Sequence, residues 1–117
     1  MARSNEPVFW SLFSAGGVVA ALFGPVLIFL LGLAQATGWF GARDALAYER
    51  LQGLVARAPV KIGLFLVIAL PLFHWAHRFR FTLADLGFRS FRKPLALVCY
   101  GTAVVVSLSA ALVLWRL

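Results

Sequence analysis

From Val8 to Ala34 the chain carries no charged side chain. That run is longer than the roughly 20 apolar residues that cross the hydrocarbon core of a bilayer. The whole chain has only 117 residues, 62% of them hydrophobic and 13% charged, with a mean hydropathy of +0.91. A soluble domain that small cannot hide so much apolar surface. An all-α integral membrane protein follows, as a single membrane-anchor domain over residues 1–117.

The run opens at a helix start. Ser4, Asn5, Glu6 and Pro7 offer a capping side chain, an early carboxylate and a proline for the first turn. The acid and the proline, before an apolar run of this length, argue against a cleavable signal peptide. Trp10 then sits one turn inside, near the membrane–water boundary, where its indole N–H needs an acceptor. Two readings stand for it: an aromatic-belt anchor, or a hydrogen-bond donor to a ligand.

The first span covers about residues 7–37. As a helix it is about 45 Å long at 1.5 Å per residue, more than the core needs, so it tilts or projects. Gly24-Pro25 predicts a kink. Gly16, Ala20 and Gly24 recur every four residues, a spacing that lets a second helix approach closely in lipid. Gly38-Trp39-Phe40-Gly41 breaks the helix at the far interface. Asp44 is the expected cap of a short helix over about residues 44–57, with Ala47, Leu51, Leu54 and Val55 on its apolar face. It is too polar to span and is expected at the membrane surface or against a partner.

Pro59 and Lys61 open a second span, about residues 60–77, with a second kink expected at Pro71. Pro94 opens a third, about residues 94–115, which Arg116 ends at the water. The expected architecture is therefore three transmembrane helices plus one short interfacial helix.

The net charge of +7 lies between the apolar runs, where orientation and anionic headgroups account for it without nucleic acid. Arg3 and the loop residues Arg78, Arg80, Arg89, Arg92 and Lys93 fall on one side. Arg43, Arg50, Arg57, Lys61 and Arg116 fall on the other. The small excess places the amino terminus in the cytoplasm. The single cysteine, Cys99, is expected to be a small packing residue.

His74 and His77 end the second span and are the only histidines. Three residues apart on one helix, they cannot take opposite faces of one haem iron, although one of them could serve a partner's haem. They do bring a proton carrier to the interface. The chain has no HExxH, no CxxC, no phosphate-binding glycine loop and no acid within a span. The last absence argues against a small proton-coupled exporter. Composition and spacing alone give a three-helix anchor with a polar, aromatic cluster at one interface.

The order of several short stretches goes further. Glu6-Pro7-Val8-Phe9-Trp10, Leu12-Phe13 and Ala15-Gly16-Gly17 resemble the start of the D subunit of bacterial fumarate reductase, a hydrophobic membrane anchor. Pro25-Val26, Asp44-Ala45-Leu46, Tyr48-Glu49-Arg50, Leu70-Pro71-Leu72, His77-Arg78 and Asp85-Leu86 continue the resemblance in the same order. It covers nearly the whole chain and is weakest in the third span.

The resemblance implies a non-catalytic subunit of a quinol:fumarate reductase in the bacterial inner membrane. Its partners would be a flavoprotein, an iron–sulfur subunit and a second hydrophobic anchor, besides membrane lipid. The chain alone would bind no metal or cofactor, and menaquinol or quinone would be shared with the partners. Trp10 matches the family's quinone-pocket tryptophan, and Phe13 falls where that pocket is lined. His77 and Arg78 match the basic end of the second span. Ser14 stands where the family has glycine, and His74 and Trp75 where it has smaller or less basic residues. Two rival readings are the haem-associated anchor of a succinate dehydrogenase and a purely structural membrane subunit.

Overall fold

The computed structural model describes residues 4–117, and Arg3, counted above, lies outside them. Helix accounts for 93% of the described residues, and no strand occurs among them. Five helices carry the architecture: α1 (Glu6–Thr37), α2 (Ala42–Ala45), α3 (Tyr48–Val55), α4 (Ala58–Leu83) and α5 (Arg92–Arg116). The described residues fill 53 × 33 × 23 Å.

Two helical runs are long and apolar enough to cross a membrane, Glu6–Thr37 and Ala58–Arg116. The second has 59 residues. Straight, it would measure about 90 Å at 1.5 Å per residue, well beyond the longest dimension of the molecule. It folds at Gly87, whose φ of 114° lies in the region that favours glycine. α5 thereby returns along α4.

α4 is the middle helix, packed against both α1 and α5. It uses two faces. Leu70 and His74 meet Gly16 of α1, whereas Leu72 and Ala76 meet Cys99, Ala103 and Tyr100 of α5. Residues two apart on a helix point about 200° apart, so a single helix can serve both neighbours. The seams are lined by small side chains. Ala69, Ala76, Cys99, Ala103 and Ser107 are buried, and no large side chain is fully buried among the described residues. Such residues bring backbones together where lipid supplies no hydrophobic drive between helices. Cys99 is a packing residue, as expected, only 3% exposed.

Gly16 confirms the close approach expected of α1. A Cβ there would run into the Leu70 carbonyl oxygen and come within 2.8 Å of His74 Cβ. Gly24 does not share that contact, for a Cβ there meets nothing within 4 Å. Ala20 is exposed, so of the three small residues only Gly16 makes the close approach.

The helix boundaries differ from the expected ones in three places. α4 runs on to Leu83 rather than ending near residue 77, because nothing in His77 to Leu83 breaks a helix. The expected helix over residues 44–57 is two pieces. Its backbone breaks at Leu46 and Ala47, whose φ/ψ are −100°/17° and −59°/145°. Asp44 therefore lies inside α2 and caps nothing, and Ala47, which has no polar side chain, holds the cap position of α3. At the amino terminus Asn5 is in the cap position without a side-chain bond, and the Ser4 hydroxyl accepts the Glu6 N–H at 3.2 Å.

Pro25 and Pro71 both stay inside continuous helix. The adjustment after Pro25 comes one turn later, where Ile28–Ala34 widens to a π-helix, a form that absorbs a disturbed hydrogen-bond ladder. The break at residues 38–41 occurs as expected. Gly38 ends α1 in the left-handed conformation with its N–H on the Ala34 carbonyl at 2.8 Å. Arg43 then donates to the Ala36 carbonyl at 2.7 Å, satisfying another open end of α1.

Candidate functional site

The first turns of α1 and the carboxy-terminal half of α4 place five rings in one cluster. Trp10 and Phe13 are three residues apart, hence on one face of α1. Their rings meet edge to face at 5.6 Å. His74 and His77 occupy the facing side of α4. Phe13 lies between them, stacked on His74 at 4.3 Å and tilted against His77 at 4.9 Å. Trp10 reaches His77 at 6.1 Å, and Phe81 meets His77 edge to face at 5.0 Å.

Both imidazoles are tethered through Nδ1. His74 Nδ1 lies 2.7 Å from the Phe13 carbonyl oxygen, which only accepts, so Nδ1 carries the proton and donates. Gly17 makes room for this, because a Cβ there would come within 2.7 Å of His74 Cε1. His77 Nδ1 lies 2.7 Å from the Tyr100 hydroxyl of α5. Tyr100 can donate or accept, so this bond suits either tautomer of His77. Each ring keeps Nε2 outside its tether.

The indole of Trp10 is 59% exposed. Its N–H has no acceptor among the described residues. Of the four residues singled out in the sequence, Trp10, Phe13 and His77 come together. Arg78 does not join them. It is exposed, and the guanidinium stacked into the cluster is that of Arg80, 4.4 Å above the Phe81 ring and 5.2 Å from that of Tyr100. Position 80 is three residues after His77 and shares its face, whereas position 78 is rotated about 100° away. Ser14 is exposed beside Phe13.

Sequence reasoning missed Tyr100, Arg80 and the tethering role of His74. The Gly16-Gly17 pair was the available signal for His74, since two adjacent glycines admit a ring onto the helix backbone. Nothing in the third span pointed to Tyr100. An open apolar groove of about 690 Å³ lies elsewhere, along Pro25, Ile28, Phe29, Gly32, Leu33 and Ala36. It offers no polar group for chemistry.

Comparison with known proteins decides the family. The family model for the fumarate reductase D subunit matches residues 1–115. The chain belongs to the fumarate reductase D-subunit family. Among its relatives, the fumarate reductase D subunit of Mycobacterium tuberculosis is 46% identical over 110 residues, covering 92% of this chain and 85% of the relative. That of Photobacterium profundum is 39% identical over 105 residues, covering 90% and 86%. That of Vibrio cholerae is 33% identical over 115 residues, covering 98% and 87%. The family match takes in both sides of the ring cluster, α1 and α4, and also α5 with Tyr100.

Proposed function

We propose that this chain is a membrane-anchor subunit of a quinol:fumarate reductase in the bacterial inner membrane. It attaches a flavoprotein and an iron–sulfur subunit to the cytoplasmic face, together with a second hydrophobic anchor. It also supplies one wall of a menaquinol oxidation site. Membership of the fumarate reductase D-subunit family supports the complex. The observation that carries the quinol reading is the cluster of Trp10, Phe13 and His77, with its exposed indole and tethered imidazole.

In this reading α1, α4 and α5 each cross the bilayer, because Gly87 folds the second apolar run on itself. The amino terminus and the residue 78–93 loop then share the cytoplasmic side, while α2 and α3 lie at the opposite surface. Exposed large apolar side chains along all three helices face lipid or the second anchor.

Each residue has a distinct part in the chemistry. The substrate quinol must lose two electrons and two protons. The Trp10 N–H donates to a quinone oxygen and stabilises its partial negative charge where the dielectric is low. Phe13 packs the ring. His77, through Nε2, accepts a proton from the quinol hydroxyl near neutral pH. Arg78 presents positive charge at the edge of the site and toward the iron–sulfur partner, which takes the electrons.

Purification through a tag on this chain tests the assembly. Flavin- and iron–sulfur-containing partners should copurify, and the complex should reduce fumarate with quinol. A complex that assembles yet shows the same quinol-dependent rate when Trp10, Phe13 and His77 are each replaced would leave a purely structural subunit.

A further inference from the structure

We propose that Tyr100 is a positioning residue for His77, holding Nδ1 so that Nε2 is aimed at the substrate quinol. The proposal rests on the reading of the ring cluster as the quinol site and extends it to the third helix.

The geometry makes Tyr100 a fixed point. Its ring belongs to the α4–α5 seam and packs against the buried group Ala76, Cys99 and Ala103. The Arg80 guanidinium lies 5.2 Å from the same ring and 4.4 Å from that of Phe81, gripping it from α4. The hydroxyl is therefore delivered to His77 Nδ1 at 2.7 Å from a backbone 23 residues away in sequence. Phe13 and Phe81 pack against the ring of His77 at 4.9 and 5.0 Å. The hydrogen bond fixes the remaining freedom, rotation of the imidazole about Cβ–Cγ, which would otherwise exchange the places of Nδ1 and Cδ2.

A hydroxyl suits this place because it can reverse its role. To take a proton from quinol, Nε2 must be unprotonated, so Nδ1 carries the hydrogen and the Tyr100 oxygen accepts it. In the transfer the quinol O–H bond breaks and an Nε2–H bond forms. The imidazolium then donates from both nitrogens, and the Tyr100 oxygen still accepts from Nδ1. The two electrons of the quinol go to the iron–sulfur partner; the proton taken by His77 leaves the imidazolium for water, and the proton of the second quinol hydroxyl passes directly to water. When Nε2–H instead faces a quinone oxygen, the Tyr100 hydroxyl turns to donate to Nδ1. A carboxylate at this position could only accept, and would favour one direction.

A double-mutant cycle on the assembled complex tests this. Tyr100→Phe, His77→Gln and the double variant are compared by quinol-dependent fumarate reduction, each normalised to reduction with a soluble electron donor. Tyr100→Phe should lower the quinol-dependent kcat about two- to twelve-fold, the range for one ordinary hydrogen bond, with a smaller change in KM. In the His77→Gln background the same change should add nothing, since Tyr100 acts through His77. An equal loss in both backgrounds, no loss in either, or failure of the Tyr100→Phe complex to assemble overturns the proposal. If His77→Gln alone leaves the normalised rate unchanged, the quinol reading of His77 falls first, and this proposal with it.

Discussion

His74 Nδ1 and the Phe13 carbonyl oxygen, 61 positions apart in sequence, lie 2.7 Å from each other. This bond joins α4 to α1 at the level where Phe13 stacks on the same imidazole. One side chain thus fixes both the helix pair and the ring that lines the candidate site. The Gly16-Gly17 pair makes the approach possible, since either Cβ would strike His74.

His74→Leu removes the donor and the stacked imidazole but keeps an apolar side chain of similar length. A lost hydrogen bond of ordinary strength costs about 0.5–1.5 kcal/mol. Thermal unfolding of the purified complex should occur at lower temperature than in wild type. An unchanged midpoint would show that the bond contributes nothing to holding α1 on α4.

Gly16→Ala should damage the α1–α4 crossing, because the new methyl group meets the Leu70 carbonyl and His74 Cβ. Overpacking of this kind costs about 1–3 kcal/mol. Gly63→Ala is the matched control, with nothing within 4 Å of its Cβ. The yield of intact complex should fall for the first variant and hold for the second. Equal yields would mean that the helices part without penalty.

Orientation is open to cysteine labelling. Ala42 and Ala84 are buried, at 6% and 4% exposure, so their exposed neighbours Ala45 and Ser90 are the better sites. With a cytoplasmic amino terminus, Ser90→Cys resists a membrane-impermeant thiol reagent in intact cells and Ala45→Cys reacts. The native Cys99 is buried and adds no background. The reverse pattern would invert the topology and move the ring cluster to the wrong face for an iron–sulfur partner.

Trp10→Phe keeps an aromatic ring and removes the N–H donor. Quinol-dependent fumarate reduction should fall about two- to twelve-fold, as for one ordinary hydrogen bond. Reduction by a soluble donor should be unaffected, because that route bypasses the membrane pocket. Trp10→Leu should cost more, since the contacts to Phe13 and His77 go as well. If Trp10→Phe matches wild type in the ratio of the two activities, the indole is a belt anchor and no more.

The sequence by itself determined the helical class and the long apolar runs, because uncharged stretches of that length leave the backbone no other way to satisfy its hydrogen bonds in lipid. It also determined the break at Gly38–Gly41, where Gly38 and Gly41 take positive φ, and the shared face of Trp10 and Phe13, which is helix geometry. The tertiary structure decided which helix faces meet. α4 spends one face on Gly16 and the other on Cys99 and Ala103, and no local pattern in α4 distinguishes the two. It decided that the Arg80 guanidinium stacks on the Tyr100 ring, since that depends on how α5 packs against α4. It placed Tyr100 on His77 for the same reason. A pairing across 23 residues and a turn at Gly87 has no signature in local sequence, and only the packing of α5 on α4 creates it.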